Sequence, residues 1–126
     1  MKQATHIISP DNLISAFQDS LKARDTTALQ NMYHLDAELI SSDNITFLRG
    51  QVAIAKYIQQ LIDKPIHTIT QLEKSARQWS DKMVSVSIRY QIQTNEGYMY
   101  HMVSSKILNR HGPSWQIIQQ HVSYTR

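Results

Sequence analysis

The spacing of apolar residues changes once along this chain, and that change limits the folds open to it. Beyond Pro65 the period shifts from 3.6 residues to 2. The clearest instance is "MVSVSIRYQIQT", which puts Val84, Val86, Ile88, Tyr90 and Ile92 on one face and Ser85, Ser87, Arg89, Gln91 and Gln93 on the other. The hairpin-compatible stretches "SDK" and "NEG" bound it. "YMYHMVSSKIL" and "SWQIIQQHVSY" follow as two more strands, separated by "NRHGP". The more polar stretch from Ile66 to Trp79 is expected to complete a set of four consecutive antiparallel strands.

Before Pro65 the pattern is helical. "SPDNLISAFQDSLKARD" offers Ser9 as N-cap, Pro10 at the first helical position and Asp11 in the first turn. Leu13, Phe17 and Leu21, with Ile14 beside them, make one buried stripe. "TTALQNMYHL" reads as a short second helix with Ala28, Leu29, Met32 and Tyr33 inward. "DAELIS" and "ITFL" are short strands around the turn-prone "SDN". After Gly50, "QVAIAKYIQQLI" is helical again, with Ile54, Tyr57, Ile58, Leu61 and Ile62 on one side. This order implies an α+β domain whose N-terminal helices pack on one face of a curved antiparallel sheet.

Composition narrows the function classes. With 126 residues, 41% apolar and 18% charged, residues 1–126 are expected to form one domain around one core. No run approaches the ~18 uncharged apolar residues of a membrane helix. The start "MKQATHIISPDN" lacks the apolar centre of a signal peptide, so the expectation is a cytoplasmic protein without a membrane partner. The absence of cysteine excludes disulfides, a thiolate nucleophile and Cys-based zinc sites. A net charge of +3 is spread without a basic block, so no nucleic-acid partner is expected. The distribution says more than the total. The last carboxylate side chain is Glu96, and from Gly97 onward Lys106, Arg110, Arg126 and three histidines stand without an acid.

The candidate chemistry lies in the final strand, where His121 precedes Ser123 by two residues. Strict alternation puts both on the face of Trp115 and Ile117. With "NRHGP" as the hairpin loop, Leu108 pairs with Ser114 and His101 falls opposite His121. Either these groups line a cavity, or they are satisfied imidazoles of a closed core. In a cavity, His121 is a base or a donor to a ligand, and the facing histidines with Ser123 suit an anion when protonated. A metal needs a third ligand and no carboxylate is near, so neither metal nor other cofactor is expected. Tyr33, Tyr90, Trp79 and Phe47 either line an aromatic cavity or pack as core. Tyr98 and Tyr100 alternate with His101 and belong to the opposite face; with Ile118 and Tyr124 they are expected to form a two-fold homodimer interface. Asp36 reads as a turn or cap residue at a helix–strand junction. No nucleophile elbow is present, and Ser123 with His121 lacks the acid of a triad.

Three segments, in order, resemble a known family: "ALQNMYHLDAELI", "LRGQVAIAKYI" and "WQIIQQHVS". Together they are similar to the nuclear-transport-factor-2-like superfamily, in its SnoaL-like and ketosteroid-isomerase-like branch. The resemblance implies a cone-shaped fold, a bent antiparallel sheet wrapped around helices with a pocket between them, and dimerisation through the outer sheet face. It does not imply the isomerase reaction, which needs a carboxylate base and a tyrosine and protonated aspartate at the enolate oxygen. A gapless match to the isomerase pattern puts Ser41 at the base position and Phe17 at that of the tyrosine. Serine is no base unaided, phenylalanine donates no hydrogen bond, and no acid follows Glu96. The expectation is therefore a binding domain for a small, mainly apolar molecule carrying an anionic group. Its pocket would draw on His101, His121, Ser123, Tyr33, Phe17, Trp79, Tyr90 and Ser41. Two alternatives stand beside it: a SnoaL-like cyclase, isomerase or hydratase with His121 as base, and a pure assembly module.

Overall fold

Ser9 sets the first element. Its hydroxyl accepts a hydrogen bond from the Asn12 amide at 3.1 Å, and Pro10 opens α1, Pro10–Ala23, as the cap and proline positions predict. The computed structural model describes residues 9–42, 46–61 and 66–125. Helix α2, Thr26–Asn31, is capped by Asp25 and leads into β1, Tyr33–Ser41, and β2, Thr46–Arg49. Met32 and Tyr33 thus leave the second helix earlier than the sequence pattern suggests, and Tyr33 begins the strand. Helix α3, Gln51–Leu61, follows Gly50, whose φ of 95° is the left-handed region that favours glycine. Then come β3, Ile66–Ser80, β4, Met83–Thr94, β5, Met99–His111, and β6, Ser114–Thr125. Asp43 and Asn44 of the expected "SDN" turn, Ile45 of the expected "ITFL" strand, the side chain of Leu61 and the whole of Ile62 lie outside the described residues.

The six strands run in the order β2-β1-β6-β5-β4-β3. The four C-terminal strands form the expected antiparallel meander. Strand β1 returns beside β6 in parallel, so the sheet as a whole is mixed. It is curved and does not close, and the helices cover its inner face. Leu13, Phe17 and Leu21 of α1 and Ile54 and Ile58 of α3 are buried in one cluster with Ile88, Tyr90, Leu108, Ile117 and Val122 of the sheet. The period-2 pattern of β4 holds: Val84 through Ile92 at every second position are buried, and Ser85, Ser87 and Arg89 are not.

One irregularity decides what else faces inward. Ile107 pairs with Gln119 but Leu108 pairs with Ile117, so Ile118 is an extra residue in β6. The bulge shifts the alternation by one. Trp115 and Ile117 face the core before it; Gln120 and Val122 do so after it.

Candidate functional site

The bulge moves the histidines out of the interior. His121 is exposed and pairs with Ser105, whereas His101 pairs with Thr125, four positions away along β5. His101, His121 and Ser123 do share a face, but it is the outer face of the sheet. The expectation that they line the interior is corrected: it assumed an unbroken alternation from Trp115 to Ser123, and Ile118 breaks it. Trp79 also lies outside, 60% exposed, with its indole donating to Ser85 Oγ at 2.9 Å and Arg77 stacked over its ring. Phe47 is exposed as well. Tyr98 is exposed, while Tyr100 and Tyr124 pack against each other on the inner side at 5.9 Å, so those two are withdrawn from the outer aromatic face. Asp36 is exposed within β1 rather than at a helix junction.

The remaining candidates are inside. Phe17 and Tyr90 help line a void of about 40 Å³ between the helices and the inner sheet face, with Ile92, Tyr100, Met102, Gln120, Val122 and Tyr124 among its other walls. Tyr33 is fully buried and meets Phe17 edge-on, ring centres 6.3 Å apart. Ser41 is fully buried and accepts a hydrogen bond of 2.6 Å from the Tyr57 hydroxyl. The Tyr90 hydroxyl accepts from Gln18 Nε2 at 3.2 Å.

A polar cluster lies against the void, and sequence reasoning missed it. Tyr33 donates its hydroxyl hydrogen to Gln120 Oε1. Gln120 Nε2 donates to Ser104 Oγ at 3.1 Å, and Lys106 Nζ donates to the same oxygen at 2.7 Å. Lys106 is 2% exposed and its amine sits 4.1 Å from the centre of the Phe17 ring. No salt bridge reaches it among the described residues. Burial alone therefore acts on the amine and lowers its pKa from 10.5 to about 7. Burial, and then the neighbouring Tyr124 phenol, push the Tyr33 hydroxyl well above its ordinary value. Burial also raises Tyr90 and Tyr100. The inner wall thus combines an apolar void, neutral phenols and one amine that is half-titrated near neutral pH.

A bent, unclosed sheet with helices against its inner face is the geometry of a cone-shaped α+β fold. The model of the SnoaL-like domain matches residues 11–126, and the chain belongs to that family. Among solved structures it is similar to an NTF2-like protein of unknown function from Pseudomonas putida KT2440, at 14% identity and TM-score 0.80, covering 90% of this chain and 82% of that one. It is also similar to a ketosteroid isomerase-like protein from Erwinia carotovora atroseptica, at 15% identity and TM-score 0.76, covering 92% and 93%. A third is a protein proposed to be a calcium/calmodulin-dependent protein kinase type II association domain from Thiobacillus denitrificans, at 14% identity and TM-score 0.79, covering 98% and 100%. At these identities the likeness shows the fold alone. No curated protein matches the chain. Among the described residues no helix is long and apolar enough to cross a membrane.

Proposed function

We propose that this domain binds a small, mainly apolar molecule in the void between its helices and sheet. The observation that carries the reading is the wall itself: apolar and aromatic side chains around a space of about 40 Å³, with Gln120 contributing an amide to it. A few oriented polar groups in an apolar concavity are what a ligand site requires. The space is tight, so the ligand's body is small or extends past the half-buried Ile69, Tyr100 and Tyr124. Steroid isomerisation is not part of the proposal, because Phe17 and Ser41 stand at the donor and base positions of the isomerase match and, among the described residues, no carboxylate lines the void. An enzyme using His121 as its base is not favoured either, since that imidazole is on the outer face.

Methionine methyl groups give a test with internal controls. Met102 lines the void, whereas Met83 and Met99 are exposed. In a spectrum of methyl-labelled methionine, titrated indole is expected to shift Met102 saturably and leave Met83 and Met99 in place. Shifts confined to the exposed methyls, or none at all, sink the proposal.

We also propose that the chain forms a homodimer through the outer face of β4–β6. On that face β4 carries Arg89, ion-paired with Glu73 at 3.0 Å, whereas β5 and β6 carry His101, Val103, Ser105, Ile107, Gln119, His121 and Ser123, with no Asp, Glu, Lys or Arg. Depletion of such residues marks the centre of an interface, and Val103 is 40% exposed there. This is the observation that would favour a role in assembly, alongside or instead of ligand binding.

A further inference from the structure

Among the described residues Lys106 is the one buried side chain that ordinarily carries a charge, and apolar binding leaves it unexplained. Lysine is almost never fully buried unless it is paired. Here its partners among the described residues are a serine hydroxyl and a phenyl ring, and no carboxylate stands on the inner-face positions of β1, β4, β5 and β6. Hydrogen-bond accounting sharpens the oddity. Ser104 Oγ already accepts from both Lys106 and Gln120, and Gln120 Oε1 accepts from Tyr33. Ser104 Oγ thus has both lone pairs engaged and Gln120 Oε1 one of its two, while the Ser104 hydroxyl hydrogen and two further N–H groups of an ammonium remain to be given. A cluster with more spare donors than spare acceptors suits a ligand that brings acceptor oxygens and a negative charge.

The cluster is also within reach. Gln120 pairs directly across from Lys106 and lines the void; Phe17 lines the void and carries the amine over its ring. A four-carbon stem with free torsions lets the amine pass either neighbour. We propose that Lys106, with Ser104 and Gln120, receives the carboxylate of a small apolar acid whose hydrocarbon part enters the void and extends past Ile69, Tyr100 and Tyr124. This deepens the binding reading above and rests on it. The ligand class is thereby a short-chain or aromatic monocarboxylic acid.

The sign of the pH dependence follows. An empty site holds the amine at a pKa of about 7, because burial penalises its charge. A bound carboxylate favours the charged form and raises that pKa. Binding above pH 7 therefore takes up a proton, and affinity falls by up to about tenfold per pH unit until the bound-state value is reached. The other titratable groups around the amine are phenols: Tyr33, Tyr90 and Tyr100, all raised and therefore neutral in this range, with Tyr124 beside Tyr100. On the covering helices Asp11, Asp19, Lys22 and Lys56 are exposed, and Tyr57 is bonded to Ser41.

Hexanoate and hexanamide share a shape and differ in charge, so calorimetric titration of the two isolates the head group. At about pH 6 hexanoate is expected to bind at least about tenfold tighter than hexanamide. At about pH 8 it is expected to take up close to one proton, read from two buffers of different ionisation enthalpy. Lys106→Met is expected to abolish the preference for hexanoate over hexanamide. Equal binding of the two probes, or an unaltered preference in Lys106→Met, overturns the carboxylate assignment and leaves the apolar pocket standing. Binding of neither overturns both readings.

Discussion

At the scale of the residue, Lys106 is held at a thermodynamic cost that can be measured. Its folded pKa of about 7 lies below its ordinary value of 10.5. Above about pH 10.5 the amine is neutral folded and unfolded, and nothing is lost. As pH falls towards 7 the unfolded chain takes up the proton and the folded chain does not, so stability declines; below 7 the loss is complete and constant. Its upper bound is on the order of 5 kcal/mol, at 1.36 kcal/mol per pKa unit. Lys106→Met should accordingly stabilise the empty protein near pH 6 by about 1 to 4 kcal/mol and flatten the rise between 7 and 10. Urea unfolding at several pH values checks this; a destabilised variant contradicts it. Tyr33→Phe should act oppositely, costing about 1 to 3 kcal/mol in the same assay, because it strips Gln120 Oε1 of its buried donor. His121→Ala should stay within about 0.5 kcal/mol and leave indole binding unchanged, as befits an exposed side chain.

At the scale of the element, the strands and helices were legible in the sequence, and the phase of the last two strands was not. Period 2 in β4 and the Ser9–Pro10 helix start translate directly into structure. For β5 two counts compete. Carried from β4 across the turn that ties the Thr94 amide to the Tyr98 carbonyl, the inner face takes Tyr100, Met102, Ser104, Lys106 and Leu108. Carried from Trp115 and Ile117 by unbroken alternation, it takes His121 and Ser123 instead. The adjacent pair Ile117–Ile118 is the sequence trace of the bulge that reconciles them, since two neighbouring apolar residues cannot both hold one phase. Lys106 was hidden for a second reason: a lysine inside runs against the burial rule on which pattern reading depends. Deleting Ile118 should force Gln120, Val122 and Tyr124 outward, and loss of a cooperative unfolding transition is the expected result. Ser9→Ala is milder. It removes the α1 cap, with an expected loss of about 1 kcal/mol in the same unfolding measurement.

At the scale of the whole molecule, the curved sheet has two faces with different work. The inner face packs on the helices and encloses the void; the outer face of β5 and β6 is left without fixed charges. If that outer face is the two-fold contact, light scattering should report twice the chain mass of 14.6 kDa, and a concentration-independent single-chain mass would rule it out. The resemblance in "ALQNMYHLDAELI", "LRGQVAIAKYI" and "WQIIQQHVS" was sufficient for the fold, because those segments carry the hydrophobic stripes that bring helices and sheet together. It was insufficient for the site, because which side chains face the void depends on one extra residue in β6. The account as a whole stands on an amine buried beside that void with no carboxylate partner among the described residues. A nuclear magnetic resonance titration of the lysine side-chain carbons tests it most directly: one resonance, absent in Lys106→Met, should titrate near pH 7 in the empty protein and move upward when hexanoate is added. A Lys106 resonance that titrates near the ordinary lysine value of about 10.4 would contradict it.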